Sequence, residues 1–253
     1  MTQQTHKISP PAIRLENLVY QVRDQKVLEG VSLEIQPGEI LAVMGRSGSG
    51  KTTILRLIMG LIRPASGHIW IDGQEITALK EAELLEVRAG MGLVFQNAAL
   101  FDSLTVAENV AFGLVEQGGV EETELADMVG EYLAMVGMSG TERLYPAELS
   151  GGMKKRVGVA RALIMKPQIM LYDEPTAGLD PPTAYSLNEL IIDLRQRLGV
   201  TTIIVSHDVP SLAQVADRAA LLEDGKILTA GTLAELAQSD SPVVREFLLF
   251  WKR

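Results

Sequence analysis

Gly45-Arg46-Ser47-Gly48-Ser49-Gly50-Lys51-Thr52 decides how the rest of this chain is read. Two glycines enclose four residues, and Lys and a hydroxyl residue follow, the spacing of a loop that cradles phosphate. Immediately before it, Ile40-Leu41-Ala42-Val43-Met44 is a continuous apolar run and predicts a buried strand. Immediately after it, Ile54, Leu57, Ile58 and Leu61 recur at helical spacing. A strand before and a helix after are the context this pattern requires. Glycines let successive N–H groups point at one anion, and the helix start adds roughly half a positive charge. Lys51 has the reach for β- and γ-phosphates, and Thr52 has the hydroxyl for a Mg²⁺ ligand. The competing reading is a Gly/Ser-rich turn that fits by chance; both flanking elements weigh against it.

Three further apolar runs end in residues with chemistry. Gly92-Leu93-Val94-Phe95 stops at Gln96, Ile169-Met170-Leu171-Tyr172 at Asp173-Glu174, and Thr202-Ile203-Ile204-Val205 at Ser206-His207-Asp208. Taken singly, each has a plain alternative: a surface Gln, a charged turn, a structural strand-end His. Adjacent carboxylates at a strand tip can also divide labour, one on a metal and one as a base for water. In open α/β sheets, ligands bind outside the carboxyl ends of the parallel strands. One sheet would therefore bring the Gly-rich loop, Gln96, Asp173-Glu174 and His207 to a common edge.

The remainder is consistent with one α/β unit. Residues 13–36 alternate around a turn at Arg23-Asp24 and predict antiparallel strands, with Tyr20 placed either to stack on a purine or as a half-buried strand residue. Residues 66–76 read as a hairpin turning at Asp72-Gly73, and 80–88 as an acidic helix. Residues 97–165 are mostly helical, broken at Gly118-Gly119, Gly137–Gly140 and Pro146. Ser150 is a good N-cap for the helix beginning Gly151-Gly152-Met153. Lys154, Lys155 and Arg156 then crowd a first turn that the helix dipole reserves for acids, which implies either a bound anion or a solvated basic face. A helix over 181–198 stops at Gly199, a last hairpin turns at Asp224-Gly225, and Thr232 caps a short helix. Val243, Val244, Phe247, Leu248 and Trp251 predict a C-terminal amphipathic helix within 239–253, docked on its own domain or on a partner.

Composition narrows the class. The chain has 253 residues, no cysteine and a formal charge of −9, so a disulfide framework and a thiolate metal site are excluded and nonspecific nucleic-acid binding is disfavoured. Residues 1–12 are polar, carry Pro10 and Pro11, lack the apolar core of a secretory signal, and read as a flexible tail. No apolar run approaches the roughly 20 residues that span a bilayer, so any membrane crossing is expected from another subunit.

Gly45–Thr52, Gln96, Leu149-Ser150-Gly151-Gly152-Met153, Ile169–Glu174, Gly178-Leu179-Asp180 and His207 stand in the order found in the nucleotide-binding subunit of ABC transporters, and the chain resembles that family over nearly its whole length. The resemblance implies a P-loop NTPase fold of ABC type: a mainly parallel sheet core, an antiparallel β subdomain, and a helical signature subdomain inserted at about 97–165 of a domain spanning 13–238. It implies ATP and Mg²⁺. Gly45, Arg46, Ser47, Gly48, Ser49, Gly50, Lys51, Thr52 and Thr53 would hold the phosphates, Tyr20 the adenine, and Thr52, Gln96 and Asp173 the metal. Glu174 matches the catalytic base and His207 the switch histidine, with Lys51 and Gln96 completing the catalytic set. Ser150, Gly151 and Gly152 match the signature that binds the γ-phosphate held by a second copy, so a head-to-tail homodimer is implied. Met153 departs from the commoner Gln, which puts one contact across that interface in doubt.

A narrower resemblance, carried by Phe95–Phe112, Leu149–Met153 and Leu171–Pro181, is to the ATPases of Mla and Mce-associated lipid transporters. It implies a peripheral protein on the cytoplasmic face of the bacterial inner membrane, an integral permease subunit and a lipid-binding Mce-domain subunit as partners, and no nucleic acid. Apolar residues within 95–112 would then seat the permease or, alternatively, form internal core. Importers of amino acids share much of the pattern, and soluble ABC proteins of translation, repair or cluster assembly are the reading from another class. An intact Lys51, Asp173, Glu174 and His207 argue against a nonhydrolysing module.

Overall fold

The computed structural model describes residues 10–249. Residues 1–9 of the tail expected at 1–12, and Trp251 of the expected last helix, lie outside the described residues. In chain order the elements are β1 (Ile13–Val22), β2 (Gln25–Ile35), β3 (Ile40–Met44), α1 (Lys51–Ile58), β4 (Ser66–Ile71), β5 (Gln74–Glu75), α2 (Glu81–Ala89) and β6 (Met91–Val94). Then come α3 (Val106–Gln117), α4 (Glu122–Met135), α5 (Gly151–Leu163), β7 (Ile169–Asp173), α6 (Pro181–Leu198) and β8 (Thr201–Ser206). The last are α7 (Val209–Val215), β9 (Arg218–Glu223), β10 (Lys226–Thr232), α8 (Leu233–Ala237) and α9 (Pro242–Leu249).

Two sheets result. One is antiparallel, in the order β2-β1-β4-β5. The other runs β10-β9-β3-β8-β7-β6, with β9 to β6 all parallel and β10 antiparallel at its edge. The four runs read as buried strands are thus consecutive neighbours, β3-β8-β7-β6, and their carboxyl ends share one edge.

The continuous apolar runs have their reason in what covers the parallel sheet. Ile40, Ala42 and Met44 face the core shared with α3 to α7, whereas Leu41 and Val43 face the core shared with α1 and the antiparallel sheet. A sheet covered on both faces has no place for alternating polar residues. On the helical side, Val106, Val110, Leu133 and Val157 belong to the same cluster as Met170 and Tyr172, so the inserted helices and the sheet share one core.

Several readings need adjustment. Helix α1 ends at Ile58, and Leu61, counted on its apolar face, lies beyond it and is exposed. Strand β6 ends at Val94, which leaves Phe95 on the surface. Ala12, read as the end of the tail, is buried, and its carbonyl accepts from the Asp72 N–H at 2.8 Å. The segment 95–112 divides between the two roles open to it. Ala98, Val106, Val110 and Ala111 are core, while Phe95, Phe101 and Phe112 are 43%, 44% and 36% exposed. Helix α9 docks on its own chain through Val244, which is buried in the core. Capping went as expected: Ser150 Oγ accepts from Met153 N–H at 3.3 Å, Thr232 caps α8, and Gly199 ends α6 in the left-handed region.

Candidate active site

The Gly-rich loop is shaped by what its neighbours leave room for. A Cβ on Gly45 would run into the Leu222 carbonyl oxygen of β9, so the loop passes too close to the sheet for any side chain. Gly50 sits at φ +104°, where an L-residue is strained, and a Cβ there would meet Leu28 at 2.8 Å. Helix α1 begins at Lys51, and Ile54 N–H already bonds the Gly50 carbonyl at 3.1 Å.

Lys51 is buried. Its Nζ donates to the carbonyls of Gly45 at 2.9 Å and Arg46 at 3.0 Å, and lies 3.5 Å from Glu174 Oε1. Thr52 Oγ1 donates to Asp173 Oδ1 at 3.0 Å, which brings two of the three residues expected on the metal together across α1 and β7. Glu174 follows β7 at φ +48°, a conformation that costs a non-glycine residue about 1–3 kcal/mol and is found where function holds it. Its Oε2 accepts from Ser206 Oγ at 2.7 Å and from the His207 N–H at 3.3 Å, and lies 2.9 Å from His207 Nδ1.

These contacts set the protonation. Burial pushes the Glu174 carboxyl up, but the hydrogen bonds from His207 and Ser206, with the charges of His207 and Lys51, outweigh it and hold the group below its usual range. Asp173 goes the other way: burial raises it, the Thr52 hydrogen bond opposes, and the Glu174 charge raises it further. A cation between these carboxylates and a phosphate would favour the ionised form of both.

A cleft of about 250 Å³ opens over the loop, lined by Val27, Ser47, Gly48, Gly50, Lys51, Thr52, Thr53, Gln96, Glu174 and His207. A second, of about 630 Å³, adjoins it and shares Ser47, Glu174 and His207, adding Arg46, the Thr176–Leu179 turn and Glu246 of α9. The structure therefore gathers the loop, Gln96, Glu174 and His207 at one place. Tyr20 is not among the lining residues; it packs on the core under the antiparallel sheet, and Val27 of β2 faces the loop instead. Ser150, Gly151 and Gly152 line neither cleft, and Ser150 and Gly151 are exposed at the start of α5.

The family model described as "ABC transporter" matches residues 28–177. The chain belongs to the ABC transporter family. It is the ATP-binding, ATP-hydrolysing cassette of such a transporter. Among similar proteins, the methionine import ATP-binding protein MetN of Carboxydothermus hydrogenoformans is 42% identical, over 89% of this chain and 67% of that one. A probable ribonucleotide transport ATP-binding protein, mkl, of Mycobacterium leprae is 41% identical over 94% of this chain and 68% of its own length. The intermembrane phospholipid transport ATP-binding protein MlaF of Haemophilus influenzae is 40% identical over 93% and 89%. Among solved structures, a dimeric post-hydrolysis state of the cassette MJ0796 with ADP and Pi superposes with a TM-score of 0.80 at 33% identity, over 87% of this chain and 98% of that one.

The site of the cassette suits ATP with Mg²⁺. Lys51 and Thr52 line the cleft over the glycine-rich loop, and their ammonium and hydroxyl are the groups a polyphosphate and its metal need. Thr52 and Asp173 offer the two adjacent oxygens. Among the described residues no group of three or more His, Cys, Asp or Glu gathers to hold a metal, and Mg²⁺ at a nucleotide needs only one or two protein oxygens.

Sequence reading missed part of the cassette's site. Lys155 is buried and Arg156 partly buried, so the first turn of α5 is not a fully solvated basic face. Lys155 Nζ donates to the backbone carbonyls of Gln96 and, at 3.2 Å, of Glu174, and Arg156 Nη1 donates to the Val136 carbonyl at 2.7 Å. Burial lowers the Lys155 pKa, against the opposing pull of Asp173 and Glu174. Arg161 grips the carbonyls of Ala98 at 2.7 Å and Ala99 at 2.6 Å. The signal for Lys155 was available: Gly152, Lys155, Val159 and Ala162 share one helical face, and all four are buried.

Proposed function

We propose that this cassette powers a lipid transporter of Mla type from the cytoplasmic face of the bacterial inner membrane, as a homodimer seated on an integral permease subunit, with a lipid-binding Mce-domain subunit in the same complex. The observation that carries this reading is the surface made by the segment that resembles the Mla group. Phe101 and Phe112 stack with centroids 4.6 Å apart, half-exposed, close in sequence to Gln96 of the ATP cleft. Buried Asn109 fixes that surface, its Nδ2 donating to the carbonyls of Phe101, Leu104 and Thr105, and its Oδ1 accepting from Phe101 N–H at 2.8 Å. The 40% identity to MlaF supports the lipid reading. Among the described residues no helix is long and apolar enough to cross a membrane, which leaves the crossing to a partner.

The dimer follows from what one copy lacks. Ser150, Gly151 and Gly152 lie outside both clefts over their own loop. In a two-fold head-to-tail pair each copy offers its signature helix start to the other's γ-phosphate. Within the closed site, Lys51 exchanges its loop carbonyls and Glu174 for phosphate oxygens. Glu174 Oε2 stays anchored on Ser206 and His207, so Oε1 is the oxygen that orients and deprotonates the attacking water. Thr52, Asp173 and Gln96 would hold Mg²⁺, which when bound neutralises charge on the phosphates. Lys51 and the signature of the second copy stabilise the charge that develops during transfer.

A solute importer is the second reading, favoured by the 42% identity to MetN. Purifying the tagged full chain from membranes with its co-purifying subunits decides between them. A permease with an Mce-domain subunit and bound phospholipid supports lipid transport. A permease with an amino-acid-binding subunit overturns it, and absence from the membrane fraction would favour a soluble ABC protein. Phe112→Asp tests the seat: it is expected to abolish transport in the complex while ATP hydrolysis by the isolated chain stays within about twofold.

A further inference from the structure

Two backbone carbonyls from different strand tips converge on one side chain. Gln96 follows β6 and Glu174 follows β7, and the Nζ of Lys155 bridges their carbonyl oxygens from α5. Lys155 is 5% exposed, so its ammonium faces the two carbonyls rather than water or nucleotide. An ammonium has three donors and no acceptor, the complement of two carbonyl groups left outside the sheet ladder.

Both bridged segments are strained. Glu174 has φ +48°, and Ala98 and Ala99, just after Gln96, have φ +57° and +48°. Such residues persist only where their surroundings hold them. Beside the backbone bonds of Glu174 to Val205 and Ala177, helix α5 supplies a side-chain hold at both: Lys155 on Gln96 and Glu174, Arg161 on Ala98 and Ala99. The same helix begins at Ser150.

We propose that Lys155 is a positioning residue for ATP hydrolysis: it ties the backbone of Glu174 to that of Gln96, so that the alignment of the carboxylate, anchored at Oε2 on Ser206 and His207, is completed by the seating of the Gln96 segment on α5. Movement of that segment by a docked partner then reaches Glu174 through one ammonium rather than through the nucleotide. The proposal rests on Glu174 as the base.

The experiment is steady-state ATP hydrolysis and ADP titration of the full chain, for the wild type, Lys155→Met, Glu174→Gln and the double variant. Methionine keeps the length and buried fit of the lysine but has no donor. Because a misplacement of about 1 Å can cost about 10²-fold, kcat of Lys155→Met is expected to fall about 10- to 100-fold. KM and the ADP Kd should stay within about twofold, and the double variant should be no slower than Glu174→Gln alone, since both losses act through one group. A normal kcat in Lys155→Met, a matching loss of ADP affinity, or additive effects in the double variant would each overturn the positioning role. Near-normal turnover of Glu174→Gln would instead remove the base assignment and the proposal with it.

Discussion

Glu174→Gln is expected to lower ATP turnover by about 10²- to 10⁴-fold, the range a lost general base accounts for, while ATP still binds. The amide has the shape of the carboxylate, so the left-handed turn after β7 is kept. Its oxygen can still accept from Ser206 Oγ and the His207 N–H, which in the native site bond Oε2 at 2.7 and 3.3 Å. What it cannot do is accept a proton from water. The native site favours the charge on balance, because the bonds from His207 and Ser206 outweigh burial, so the exchange should cost some stability while the amide of the same shape keeps the fold. Phosphate release and ATP-driven self-association, measured on the same preparation, separate the two effects. A variant that turns over near the native rate would show that Glu174 is not the base.

Lys51→Met should fail differently. The native Nζ sits 2.9 and 3.0 Å from two carbonyls of its own loop and 3.5 Å from Glu174 Oε1, so the side chain shapes the cradle before it touches phosphate. Removing it takes the lysine donor from the Gly45 carbonyl, leaves the Arg46 carbonyl with the Ser49 N–H alone, and deprives the transferring phosphoryl group of a fixed cation. Loss of one such preorganised donor costs about 10²–10³ in kcat, and here nucleotide affinity should fall as well. Calorimetric titration with ATP distinguishes the variants: Glu174→Gln keeps affinity, Lys51→Met loses it. An unchanged rate and affinity would mean that the loop does not work through its lysine.

Much of this was legible along the chain because it depends on local chemistry. The Gly45–Thr52 spacing, the apolar runs before Gln96, Asp173 and His207, and the capping residues Ser150 and Thr232 each state a local conformation. Strand alternation is invisible where both faces are covered, yet length and punctuation sufficed to find β3, β7 and β8. The rule that ligands gather at the carboxyl edge then placed four clusters together, as the strand order β3-β8-β7-β6 bears out.

Other features depend on residues far apart in the chain. Lys155 looked like one of three solvated cations because its partners, the carbonyls of Gln96 and Glu174, lie 59 and 19 residues away. The neighbours of Tyr20 could not say which of the two roles open to it the residue takes; its register opposite Leu28 and its packing on the core come from the pairing of β1 with β2. Within 95–112, hydropathy could not separate the buried Val110 from the exposed Phe112. The sequence by itself determined which strands, turns and phosphate loop this protein has, since those follow from backbone freedom and the spacing of apolar residues. The tertiary structure alone decided which buried cation holds Glu174 and which aromatic residues remain on the surface, because both depend on packing between segments that the chain order keeps apart.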